Sequence, residues 1–244
     1  MQDYRTFNYA EKTKYSHDEG LRQYFLKIYG MMSAGLAITA AMAFLVFSVP
    51  ALTNLLFNVT PYGASPTGLG YIVTFAPLGI GLYFFLGQNR LTAQTAQMLF
   101  WVYAALVGAS LAGLGFMYTG ASIASTFFIC SGMFAGTSIY GYTTKKDLTS
   151  FGSFLVMGLI GLILASLVNA YFQNSILDSA LSVIGVFLFT GLIAWDTQKL
   201  KNLYYQGYGA SDKLGIVAAF TLYLDFINLF IYLLRILGVR RGNE

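Results

Sequence analysis

The sequence predicts an all-α membrane protein with seven transmembrane helices, and three observations carry that prediction. Of the 244 residues, 57% are hydrophobic and only 10% are charged, against about 25% charged in soluble domains. The apolar residues gather into seven runs of the length needed to cross a hydrocarbon core of about 30 Å as a helix. The basic residues fall in every second connection between those runs, which is how polytopic proteins are oriented. A surface this poor in charge suits lipid, where an apolar exterior carries no penalty.

Residues 1–27 mix both charge signs, from Asp3 and Arg5 to Arg22 and Lys27. They read as a short, mostly flexible cytosolic tail. The apolar run that follows is too long for the core of a secretory signal and lacks a small-residue cleavage site. Seven spans are expected at Ile28–Val49, Leu69–Gly87, Gln97–Met117, Ala121–Tyr142, Gly152–Tyr171, Ser179–Asp196 and Leu214–Leu237. They make one domain over 28–238, followed by a short basic tail, 239–244. Within the fourth span, Gly132-x-x-x-Gly136 would let two helix backbones approach closely, and packing within the monomer is the expected use.

The connections give the orientation. The first, about Pro50–Gly68, is uncharged and rich in Pro and Gly, and reads as a turn-rich loop. The third is uncharged and the fifth has only Asp178. Arg90 lies in the second, Lys145 and Lys146 in the fourth, Lys199, Lys201 and Lys213 in the sixth. All eleven Lys and Arg before the seventh span thus fall on one side, and the N-terminus is expected inside. Arg235, Arg240 and Arg241 resist this scheme, because seven full crossings put them outside. A re-entrant last segment would keep them in; seven crossings is the preferred reading. Asn58-Val59-Thr60 matches a glycosylation sequon by pattern only.

Other chemistry is sparse. Cys130 is alone in an apolar stretch and reads as a small buried hydrophobe. His17 is the only histidine and lies in the tail, so a metal site built on histidines has little support. The +4 net charge is spread between spans rather than gathered into a patch, so no nucleic-acid partner is expected. The lipid bilayer is the partner the composition demands.

Ionisable groups inside spans are costly and usually functional. Two stand out. Asp196 ends Gly191-Leu192-Ile193-Ala194-Trp195-Asp196, near the cytosolic end of the sixth span. Asp225 lies in Leu222-Tyr223-Leu224-Asp225-Phe226-Ile227-Asn228, eleven residues past Leu214, or about 16 Å deep. The short connection makes these spans plausible antiparallel neighbours, and tilt could bring the two carboxyls level. Two carboxylates in a low-dielectric site cannot easily both ionise, so they would share a proton. Losing it leaves two negative charges that must separate, find a cation or admit water. Arg90 is a candidate counter-ion, and Asn228 a supporting polar group one turn past Asp225. The blander readings are a solvated Asp196 opening a polar loop Thr197–Asn202, a structural Asp225, an Arg90 that only signals orientation, and a snorkelling Arg235.

Three segments then resemble the Bax inhibitor-1 (transmembrane Bax inhibitor motif) family in its bacterial branch: Tyr140-Gly141-Tyr142-Thr143-Thr144-Lys145-Lys146-Asp147-Leu148, Asp196-Thr197-Gln198-Lys199, and Leu222-Tyr223-Leu224-Asp225-Phe226-Ile227-Asn228-Leu229-Phe230. The resemblance spans about residues 21 to 239. It implies seven helices with the last one central, in a bacterial inner membrane, and a pH-sensitive calcium leak. On this resemblance Asp196 and Asp225 are the pH sensor and gate, and Arg90 matches the position of a latch from the second span. Some bacterial relatives instead restrain a membrane-anchored protease, which makes a membrane-embedded regulator the alternative function.

A cation leak agrees with the residues. Calcium prefers six to eight oxygen ligands, so Asp196 and Asp225 with Asn228 and carbonyls suit transient occupancy by an ion that must also leave. No cofactor is expected. An intramembrane aspartyl protease would carry Gly-x-Gly-Asp, whereas Ala194-Trp195 precedes Asp196 and Tyr223-Leu224 precedes Asp225. No phosphate loop, Ser–His–Asp set or HExxH motif is present, so an enzyme is not expected.

Overall fold

The computed structural model describes residues 3–60, 63–87, 90–207 and 211–241, with side chains from Glu19 onward. Helix α1 runs Asp3–Ser48, followed by α2 (Pro50–Leu56), strands β1 (Phe57–Thr60) and β2 (Gly63–Pro66), and helices α3 (Gly68–Gly87), α4 (Ala93–Leu111), α5 (Leu114–Met117), α6 (Gly120–Thr143), α7 (Thr149–Phe172), α8 (Ser175–Tyr205) and α9 (Asp212–Leu237). Seven helical segments, with α4 and α5 counted together, are long and apolar enough to cross a membrane. The all-α, seven-span expectation is met among the described residues, and the chain is a multi-pass membrane protein.

Polar residues at the turns start several of these helices. Thr92, Thr119, Asn174 and Ser211 each accept a hydrogen bond from a backbone N–H of the first turn, satisfying donors that a helix start leaves orphaned. At the far end of α7, Gln173 takes the left-handed conformation (φ 51°) and closes the turn into Asn174, whose N–H donates to Asn169 Oδ1 at 3.0 Å.

The last helix is central. Two-thirds of α9 is buried, against α8, α1, α6 and α4. The densest part of the core surrounds its first half. There the Phe220 ring stacks 4.2 Å from Phe84 and meets Phe100 and Tyr103 edge-on. The outer helices α3 and α7 are mostly unburied and display Ile72, Leu78, Met157 and Leu167. Contiguous apolar faces of this size are a lipid boundary in a bilayer and would be an aggregation hazard in water.

Three sequence expectations change. The residues before Ile28 continue α1 as helix, and Leu21, Tyr24 and Phe25 are buried in the main core. The packed body therefore begins about seven residues earlier than the charge pattern suggests. The first connection is a helix and an antiparallel hairpin, Phe57 opposite Pro66, seated on a small second core with Val46 and Ala109. Its Phe57 ring packs on Gly113, where the third span breaks into α4 and α5. Gly132 and Gly136 do not pack within the monomer: a Cβ at either would meet nothing. Close helix contacts use Gly108 and Gly141 instead, where a Cβ would lie 2.3 Å from Thr39 O and 2.2 Å from Ala194 O.

The C-terminal arginines also find their end of the bundle. Arg235 pairs with Asp178 at the start of α8 (3.1 Å). Beyond α9, Arg241 N donates to Met117 O (2.9 Å), Thr119 N to Val239 O (3.0 Å) and Arg241 Nε to Tyr118 O (3.1 Å). The chain end thus lies with the uncharged third connection and the acidic fifth one, at the other end of the bundle from Lys145 and Lys146.

Candidate functional site

The site forms where α8 and α9 pass each other. Helix α8 does not stop at Asp196 but continues nine residues to Tyr205, so Thr197–Asn202 is helix rather than a polar loop. Thr197 and Gln198 are buried with Asp196. Each has a partner that explains its burial. Thr197 Oγ1 bonds Ser138 Oγ of α6 (3.0 Å), which bonds in turn to the Tyr29 hydroxyl of α1. Gln198 Oε1 accepts from Leu148 N (2.8 Å) and Nε2 donates to Lys146 O (2.7 Å), which staples the α6–α7 connection onto α8.

Asp196 and Asp225 are 7% and 5% exposed, and their carboxyl groups are within hydrogen-bonding reach of each other. Ionised carboxylates only accept hydrogen bonds, so this contact is a bond only while one of them carries a proton. Asp225 Oδ2 is buried with no hydrogen-bond partner among the described residues. The Lys199 ammonium is near enough to act on Asp196, but it sits on the exposed face of α8, 5.0 Å over the Trp195 ring. No cluster of three or more His, Cys, Asp or Glu occurs among the described residues. The pair therefore offers four carboxyl oxygens, too few to hold a resident calcium tightly.

Small residues bring the helices this close. Gly141 of α6 lies on the Ala194 carbonyl, and Gly152 of α7 lies under the Trp195 indole, 2.1 Å from where its Cβ would stand. Both contacts flank Asp196. Two residues before Asp225 on α9, the Tyr223 hydroxyl meets Thr39 Oγ1 (2.7 Å), which donates to Ala104 O of α4 (2.9 Å).

The other predicted site residues stand apart from the pair. Arg90 lies on the exposed turn after α3, its N–H donating to Gly87 O (2.8 Å). It forms no ion pair with either aspartate in this conformation. Asn228 Nδ2 donates to Leu224 O of its own helix (2.8 Å). Sequence reading missed Tyr29, Ser138, Thr197 and Gln198. Signals existed in the hydroxyls and amide placed at apolar spans' inner ends, but such residues also mark ordinary span ends.

Fold and site define a class: a polytopic helical membrane protein with an acidic pair buried between its last two helices. The family model described as Inhibitor of apoptosis-promoting Bax1 matches residues 21–242, and the chain belongs to that Bax inhibitor-1 family. It is 54% identical over 244 residues to an uncharacterized protein of Rickettsia prowazekii (strain Madrid E), covering 99% of this chain and 100% of the relative. It is 45% identical over 226 residues to the inner membrane protein YbhL of Escherichia coli (strain K12), covering 91% of this chain and 94% of YbhL. An uncharacterized protein of Caulobacter vibrioides is 43% identical over 236 residues.

Proposed function

We propose that this protein is a pH-sensitive cation leak channel, carrying calcium as its substrate and gated by Asp196 and Asp225. The observation that supports it is the buried Asp196–Asp225 contact with an unpartnered Asp225 oxygen. With one proton between them, the pair draws α8 and α9 together and holds the path shut. When that proton leaves, two like charges face each other in a medium where even an effective dielectric of about 20 leaves them repelling by a few kcal/mol. The helices then separate, or a cation enters between them. A divalent ion suits that vacated charge, and incomplete coordination lets it leave again.

The same reading puts the N-terminus and the Lys-bearing connections on the cytoplasmic face of a bacterial inner membrane. The pair then lies in the cytosolic half and senses cytosolic protons. Arg90, exposed on the same face, is a latch only if α3 moves inward.

The test is calcium flux into dye-loaded proteoliposomes across a pH series. Wild type is expected to leak faster as pH rises through the pair's titration. Asp225→Asn, whose amide keeps a donor on Asp196 at every pH, is expected to lose that response. Flux and pH response unchanged in Asp225→Asn would overturn the proposal, as would a leak absent from the wild type.

A further inference from the structure

A groove of about 840 Å³ runs between α1 and α6, and neither aspartate lines it. That volume is within the range of small-ligand sites. The two helices are bridged near one end by the Tyr29–Ser138 bond and by the Phe25 and Tyr142 rings, 5.2 Å apart edge-on. Phe134 and Phe226 also line it. The lining runs from Arg22 to Ala37 on α1, about 22 Å at 1.5 Å per residue. That exceeds the half-thickness of a hydrocarbon core of about 30 Å.

We infer that this groove holds one acyl chain of an anionic phospholipid, with the headgroup phosphate at Arg22. The lining is almost wholly apolar, and its lips, Leu26 and Ile139, are 56% and more than half exposed, so it opens sideways into lipid. Three of its hydroxyls are already bonded: Ser131 Oγ donates to Phe127 O (2.8 Å), and Tyr29 and Ser138 bond each other. Ser33 is exposed on α1, and an acyl chain is the occupant that the rest of this apolar lining suits.

Charge at one end selects the headgroup. Arg22 lines the groove there, and among the described residues it is held by a surface pair with Glu19 (3.3 Å), which is cheap to exchange. Lys201 Nζ reaches the Tyr142 carbonyl (2.7 Å) and lies 5.1 Å over its ring. Lys145 follows three residues later, exposed. The acids at this end, Glu19, Asp147 and Asp212, are outnumbered among the described residues by Arg22, Lys27, Lys145, Lys146 and Lys201, which leaves the mouth net positive.

Native mass spectrometry of the delipidated full chain in detergent tests this, with dioleoyl phosphatidylglycerol titrated against dioleoyl phosphatidylcholine. One phosphatidylglycerol is expected to be retained, at least fivefold more tightly than phosphatidylcholine. Arg22→Gln is expected to lower phosphatidylglycerol affinity about fivefold, the worth of one surface basic residue. Ala135→Phe fills the groove from its open side without touching the core and is expected to abolish retention of either lipid, with thermal stability as the check on folding. Equal retention of the two lipids, full binding by Ala135→Phe, or a second copy of the chain in place of lipid would each overturn the inference.

Discussion

Asp225 Oδ2 is a buried oxygen with no hydrogen-bond partner among the described residues, a condition it shares with Thr126 Oγ1 and one that a packed core seldom carries. Its neighbours show the ordinary alternative. Thr39, Thr197 and Gln198 are equally buried and each is bonded. Ionisable residues also shape the surface. The Asp147 carboxylate, outside the spans, accepts from Thr149 N (2.9 Å) and Thr149 Oγ1 (2.6 Å) at the start of α7, and these bonds hold it below the usual carboxylate range. A lowered value means the stabilisation is present above the unfolded value and is lost as pH falls through the folded one. Asp147→Ala is therefore expected to melt a few degrees below wild type at pH 7. The gap should narrow below about pH 4, as read by tryptophan fluorescence in detergent.

At the scale of elements, the decisive contacts are those where a backbone comes within reach of another helix. Gly141→Val would drive a side chain into the Ala194 carbonyl, 2.2 Å from the Cβ position, and displace α8 two residues before Asp196. We expect a markedly lower melting temperature and a leak that no longer follows pH. Gly136→Val, one helical turn and a half away on α6, meets open space and should leave both unchanged. The sequence made this contrast hard to see. A Gly-x-x-x-Gly pair is conspicuous in a string of letters, whereas Gly141 is a single glycine beside an aromatic. What matters is the face each residue takes once α6 is set against α8, and spacing alone does not reveal that. Asp196 and Asp225 were legible for the opposite reason, since a charge inside an apolar run is visible without any partner. The length of α8 was not. Thr197 and Gln198 read as the start of a loop because their burial depends on Ser138 and on the backbone at Lys146 and Leu148, which are distant in sequence.

For the whole molecule, span number and the alternation of basic connections were available from composition and period. The short hairpin at Phe57–Pro66 was not, because its strands are only four residues each. The seventh crossing rests on the C-terminal segment lying against Met117–Thr119. In a Cys130→Ala background, Val239→Cys and Asp178→Cys are expected to react with a membrane-impermeant maleimide from the same side of intact cells. Lys145→Cys should react only after the cells are broken. Labelling of Val239→Cys and Lys145→Cys from one side would replace the crossing with a re-entrant segment.

Gln198 stands half a turn past Asp196 on the same stiff helix, and its amide grips the chain at both Lys146 and Leu148. A rotation of α8 large enough to part the carboxyls must either drag that connection along or break two hydrogen bonds. On the proposed gating, a motion begun inside the bilayer would be carried along α8 to the exposed lysines at its edge.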